Sequence, residues 1–181
     1  MKAVKYIGIL FLFLFIQIYA QTHELILNAM NALQSGQNKL SHRDDKGALK
    51  DFNKAIDLYS KSKGSFKFEG GYNGRGLAKS HLKDHRGALK DFNKELEINP
   101  GFAEVYKNRA VEKCALKDLK GALKDLDRVI EINPKNADSY NYRGIIKNKM
   151  GDRNEACIDW EKAVELGYSS AKNMIKKYCK K

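Results

Sequence analysis

The chain has 181 residues, 43% of them hydrophobic, and carries 34 Lys and Arg against 22 Asp and Glu, a formal charge of +12. That length holds one compact domain or one short array, and the apolar content excludes wholesale disorder. The basic balance points away from cationic partners and toward anionic ones: acidic peptides, polysaccharides, lipid headgroups or nucleic acid.

Residues 1–20 begin with Lys2 and Lys5, run apolar from Ile7 to Tyr19 apart from Gln17, and end in Ile18, Tyr19 and Ala20. A basic start, an apolar core and a small residue at the cut describe a secretory signal peptide, cleaved after Ala20 to leave Gln21. The apolar run is shorter than the roughly 20 residues of a spanning helix. An uncleaved membrane anchor is the alternative; after signal removal no transmembrane segment follows. No cysteine follows the cut, which disfavours a lipid-anchored product. Loss of Lys2 and Lys5 lowers the formal charge from +12 to +10. Export, to the periplasm or beyond the cell, implies an oxidising compartment and ranks nucleic acid last among anionic partners.

Beyond the leader the chain repeats itself. GALKDFNKAI at residues 47–56 returns as GALKDFNKEL at 87–96 and GALKDLDRVI at 121–130, with a worn copy, EACIDWEKAV, at 155–164. The marker alanines Ala48, Ala88, Ala122 and Ala156 lie 40, 34 and 34 residues apart, and Asn99–Pro100 and Asn133–Pro134 are also 34 apart. A strict period of this length means one supersecondary unit stacked on itself. It predicts an all-α solenoid, and a function built on an extended surface rather than on a convergent catalytic cluster.

Each unit reads as helix, tight turn, helix, stop. In the third copy, Ala103, Tyr106, Ala110 and Ala115 lie near one face of a first helix. Ala122, Leu126, Val129 and Ile130 make a core-facing stripe on a second. Asp118 precedes the second helix as its cap, with Asp44, Asp84 and Asp152 in the equivalent places, and Asn133–Pro134 ends it. Gly36, Gly76, Ala110 and Gly144 each stand 12 residues before a marker alanine, so paired helices can approach closely while Phe52, Phe92, Leu126 and Trp160 fill the space beside them. Between the first two copies, KSKGSFKFEGG at residues 61–71 is a longer basic loop. Its Phe66 and Phe68 are either an exposed contact or tucked into the junction of those copies. After the fourth copy, residues 169–179 form one more amphipathic helix, with Ala171, Met174, Ile175 and Tyr178 inward and Lys172, Lys176 and Lys177 in water.

Helix pair, period and the small–aromatic–small–Pro pattern resemble the tetratricopeptide repeat (TPR) family over roughly residues 25–168. The matching positions are Tyr72, Gly76, Ala88, Phe92 and Pro100 in the second copy, and Tyr140, Gly144, Ala156 and Trp160 in the fourth. The aromatic usual in mid first helix is replaced by Lys79, Lys113 and Lys147; Ala32 and Glu95 also depart from the pattern. The resemblance implies an α-solenoid of about four units, at about 25–62, 69–102, 103–136 and 137–168, within an array at 21–168. A capping helix and basic tail follow at 169–181. It also implies that ligand is held on a concave face made by the first helices. Carried onto this chain, that face is Leu33, Gln34, Gln37, Asn73, Leu77, Lys107, Asn108, Val111, Asn141, Tyr142, Ile145 and Asn148. The set does not reproduce the lysine–asparagine–arginine clamp that some relatives use for carboxylates; asparagine amides over an apolar floor suit an extended peptide better.

Cys157 stands where the other copies have Leu49, Leu89 and Leu123, so it faces the next element, the capping helix. If the chain reverses near Gly167 and Tyr168, Cys157 and Cys179 lie about equally far from the turn and antiparallel helices bring them together. A disulfide there competes with two buried thiols as the reading, and Cys114 is left as a buried thiol. Arg75/Lys79, Arg109/Lys113 and Arg143/Lys147 are i, i+4 pairs that recur at the repeat period, as do Asp51, Asp91, Asp125 and Asp159. These cations are either a track for an anionic ligand or, as the simpler arrangement, partners of those aspartates. Lys50, Lys90 and Lys124 read as a solvated convex face. His23, His42, His81 and His85 have neither metal-ligand spacing nor the glutamate of an HExxH pair and read as surface residues. No catalytic site, metal or cofactor is expected. The chain therefore reads as a non-catalytic scaffold for a protein or peptide in a secreted or cell-envelope assembly; the alternative is an electrostatic binder of anionic polymer or membrane surface.

Overall fold

The computed structural model describes residues 2–62 and 68–179, with side chains from residue 10 onward. Among the described residues there are nine α-helices and no strand: α1 (Lys2–Ser41), α2 (Asp45–Lys61), α3 (Gly71–His81), α4 (His85–Ile98), α5 (Ala103–Ala115), α6 (Leu119–Ile132), α7 (Ala137–Met150), α8 (Arg153–Glu165) and α9 (Ala171–Tyr178). The all-α class follows the predicted pattern. The chain divides into two compact units, Met1–Ala78 and Lys79–Lys181, with the boundary inside α3.

In the first unit α1 and α2 form a hairpin. Its core is Phe52, fully buried against Ala48 and Ala78, and Gly36 and Gly74 lie so close to the Phe52 ring that a side chain at either would meet it. The glycines thus make room for an aromatic ring of the second helix, rather than only for backbone approach. Phe68 is buried with Ala32 and Ala55 and stacks on Tyr59 at 4.6 Å, the tucked arrangement; Phe66 lies outside the described residues. The N-terminal part of α1 is different in kind. Leu10 to Tyr19 are exposed, on a helix long and apolar enough to cross a membrane.

In the second unit α5–α6 and α7–α8 are successive hairpins, preceded by α4 and followed by α9. Ala110, Ala122, Leu126 and Ile146 form one core cluster, and Ala156, Trp160, Ala163 and Ala171 another. A Cβ on Gly144 would sit 2.8 Å from the Trp160 indole nitrogen, so the glycine of the fourth copy accommodates the ring across from it. On α9, Ala171 is buried and Met174, Ile175 and Tyr178 pack on this cluster, while Lys172, Lys176 and Lys177 are exposed. Cys157 and Cys179 are joined, with Cα atoms 5.7 Å apart, tying the end of α9 to α8; a cross-link of this kind is typically worth about 2–4 kcal/mol.

The turns inside the hairpins show why one expected cap fails. Asp44, Asp84 and Asp118 each accept a hydrogen bond from the backbone N–H three residues on, at 2.9 Å, in Gly47, Gly87 and Gly121. Asp152 makes no such bond. The reason is at the receiving residue: a Cβ on Gly47, Gly87 or Gly121 would overlap the capping carboxylate, and the fourth copy has Glu155 there. Gly151 takes the left-handed position of the fourth turn, φ 97°, where the other three turns hold Arg43, Lys83 and Lys117 at φ 64°, 67° and 66°. Gly→Ala in a helix ordinarily gains up to about 1 kcal/mol. Gly121→Ala should do the opposite, because the added methyl expels the Asp118 cap, worth about 1 kcal/mol or more. Urea denaturation checks this: a raised midpoint would mean that the cap carries no weight.

Candidate ligand groove

Two sets of first-helix side chains decide what this molecule can present: the cations that point at the second helices and the residues that point away from them. The first set is consumed internally. In the second unit the Arg109 guanidinium donates to both Asp125 oxygens, at 2.6 and 2.9 Å, and Lys113 adds a third contact at 2.7 Å. Arg143 and Lys147 treat Asp159 in the same way, at 2.6, 2.9 and 2.9 Å, and Lys79 reaches Asp91 at 2.8 Å. In the first unit Lys39 and Ser35 hold Asp51 at 2.7 and 2.6 Å; the hydrogen bond from Lys39, then that from Ser35, draws the Asp51 carboxyl below the ordinary range.

Asp91, Asp125 and Asp159 are buried, with the side chains of the last two only 4% and 2% exposed. The arginines also reach back one hairpin: Arg109 donates to Asn93 and Arg143 to Asp127, both at 2.7 Å, and each lies over the tyrosine three residues earlier, Tyr106 or Tyr140. Burial acts to lower the pKa of Arg143, but the hydrogen bonds it donates to Asp159 and Asp127 prevail and hold its guanidinium above its already high value. The ladder is therefore a structural clamp. It links each first helix to its own second helix and to the one before.

The residues pointing away form a groove between α5 and α7. A cavity of about 140 Å³ opens there, floored by Ala110, Leu126 and Ile146 and walled by Val111, Cys114, Tyr142 and Ile145, with Lys107 and Lys149 at its rim. Val111 and Tyr142 are large apolar groups left 45% and 39% exposed. Lys107 is pinned by Glu104 at 3.2 Å and Asp138 at 3.4 Å. Burial acts to lower its pKa, but the two carboxylates prevail and hold it above the usual lysine range. Burial also pushes the Cys114 thiol up, so it lines the cavity as a thiol.

Of the expected concave-face residues, Lys107, Val111, Tyr142 and Ile145 converge on this cavity. Asn148 lines an adjoining one of about 150 Å³, between α7 and the Trp160, Met174 and Tyr178 side chains. Asn108 and Asn141 line neither, and Asn141 is only 6% exposed. Asn73 and Leu77 are half-buried in the first unit. Sequence reasoning missed Lys149 on the rim and Cys114 in the wall. The first lay one helical turn after Ile145, and that spacing was a usable signal. It also placed His85 on the surface. Instead its Nδ1 lies 2.6 Å from the buried Glu112 carboxylate, which accepts from Ser80 as well, at 2.6 Å; a lone buried carboxylate has to find such partners.

No protein-family model matches the chain, and no curated protein sequence matches it. Among solved structures, a crystal structure of MamA is 19% identical with a TM-score of 0.71, the match covering 80% of this chain and 81% of that one. YrrB, described as a TPR protein with an unusual peptide-binding site, is 19% identical with a TM-score of 0.70, over 82% of this chain and 74% of its own. The first TPR of Spaghetti (RPAP3), solved bound to the HSP90 peptide SRMEEVD, is 22% identical with a TM-score of 0.64, over 70% and 95%. At such identities the likeness speaks of the fold.

The clamp makes a measurable claim. Asp125→Ala strands two half-buried cations and should cost about 3–5 kcal/mol, as broken buried pairs do. A loss below about 1 kcal/mol in urea denaturation, the size of an exposed pair, would contradict it.

Proposed function

Given that the chain has the tetratricopeptide-repeat fold, we propose that it is a non-catalytic scaffold that holds an extended segment of a partner protein in the groove between α5 and α7. The observation that carries this reading is the apolar cavity with Val111 and Tyr142 left exposed at its mouth. Isolated exposed apolar residues need no explanation, but two beside a cavity at the same helix pair make an anchor point of the kind that dominates binding energy. The bridging of first-helix cations to Asp125 and Asp159 supports an apolar rather than an ionic floor. The neighbours described with a bound HSP90 peptide and with a peptide-binding site support a peptide as the occupant.

A linear peptide selected from a random display library on the full chain provides the probe. Its affinity should survive salt that shrinks the Debye length to a few ångströms, and should fall about tenfold or more on Tyr142→Ala or Val111→Asp. Unchanged affinity in both variants would remove the groove from consideration.

The same proposal places the scaffold outside the cytoplasm, with residues 1–20 as a signal peptide cut after Ala20. Support comes from the apolar, exposed stretch from Leu10 to Tyr19 and from the Cys157–Cys179 cross-link, which suits an oxidising compartment. Intact mass of the protein from its native host should correspond to a chain beginning at Gln21; a chain that keeps residues 1–20 would make α1 a membrane anchor instead.

A further inference from the structure

We infer that the turns at one edge of the second unit dock on a membrane surface rich in anionic lipid. Arg109, Lys113, Arg143, Lys147 and Lys79 are bound to aspartates. By contrast, Lys83, Arg86 and Lys90 in one copy, and Lys117, Lys120 and Lys124 in the next, are all exposed and make no ion pair among the described residues. They occupy equivalent places 34 residues apart: the turn, the first turn of the second helix and the turn after it. The acids in these turns, Asp84 and Asp118, are held as caps by Gly87 and Gly121, and His85 is held by Glu112.

The placement runs against the helix field. The N-terminal end of a helix favours acids and opposes cations; Asp84 and Asp118 meet that preference as caps, but the first turns of α4 and α6 themselves hold cations and no acid. Folding does not ask for Arg86 and Lys120 there, so an external anion is the better reason for them. The companion residues then choose the kind of anion. Leu82 and Leu116, directly before Lys83 and Lys117, are each 38% exposed at the tips of these turns, and Met150 stands at the next turn. Apolar tips flanked by lysines suit the boundary between headgroups and acyl chains, whereas a soluble polyanion offers Leu82 and Leu116 nothing. No Phe, Tyr or Trp lies in these turns to stack nucleic-acid bases. The corresponding turn of the first unit has a second acid, Asp45, and no apolar tip.

This surface shares no residue with the α5–α7 groove, so the two readings fail separately. The test is co-sedimentation of the full chain with phosphatidylcholine vesicles and with vesicles that also contain phosphatidylglycerol. The ratio of the two affinities cancels whatever α1 contributes through its apolar stretch. Replacing Arg86, Lys90, Lys120 and Lys124 by Glu should cut that ratio about tenfold or more. Placing Glu at Lys54, Lys135, Lys172 and Lys176, all exposed, matches the net charge and should leave most of the preference. Leu82→Ser with Leu116→Ser should weaken anionic-vesicle binding at unchanged charge. Equal losses in the two charge variants would reduce the effect to net charge and overturn the inference. So would serine variants that bind the vesicles normally while the Glu variant at the turns loses affinity for heparin, since the ligand would then be a soluble polymer.

Discussion

A carboxylate on each second helix, buried in all but the first copy and gripped by cations of the first helix, is the interaction on which the rest of this molecule depends. Asp125 and Asp159 are shut away from solvent, so their partners must be close and well directed: Arg109 with Lys113, and Arg143 with Lys147. An arginine and a lysine one helical turn apart can serve a single aspartate only if the two helices lie in one register. The charges therefore specify how a hairpin closes. The arginines' second contacts, to Asn93 and Asp127, specify which hairpin lies next to it. Apolar packing alone, with its small residues and one large apolar side chain per pair, would tolerate sliding more readily.

The clamp has a consequence for binding. A chain this basic would ordinarily show positive charge on every face. Here the first-helix cations are turned inward on the acids, and the face between α5 and α7 is left apolar, with Val111, Tyr142 and Ile145 around a cavity. Part of the charge that remains uncompensated lies at the turns, on Lys83, Arg86, Lys117 and Lys120. One molecule can in this way carry an apolar face and a cationic edge without either compromising the other.

Much of this was legible in the sequence, and the limits have physical causes. The period of 34 exposed the helix pairs, and the i, i+4 cations at matched spacing to aspartates exposed the clamp. Periodicity identifies a face, but not how far a side chain on that face sinks. Asn141 and Tyr142 are neighbours on α7, yet the first is buried and the second lies open. Nor does a capping residue guarantee a cap, since Asp152 fails because of Glu155, three positions away. His85 escaped notice because its partner, Glu112, lies 27 residues on, off the repeat period, where no local pattern could announce it.

Trp160 is the only tryptophan of the chain. It is fully buried beneath α9 and lies 5.7 Å from the Tyr178 ring. Intrinsic emission excited at the indole band is thus a local reporter. It senses how α9 sits on α8 and is blind to the hairpin of α1 and α2, whereas far-ultraviolet dichroism averages over all the helices. Light of two wavelengths accordingly follows different parts of the same chain, and the spectrum of a single ring becomes a gauge of whether its C-terminal end is closed.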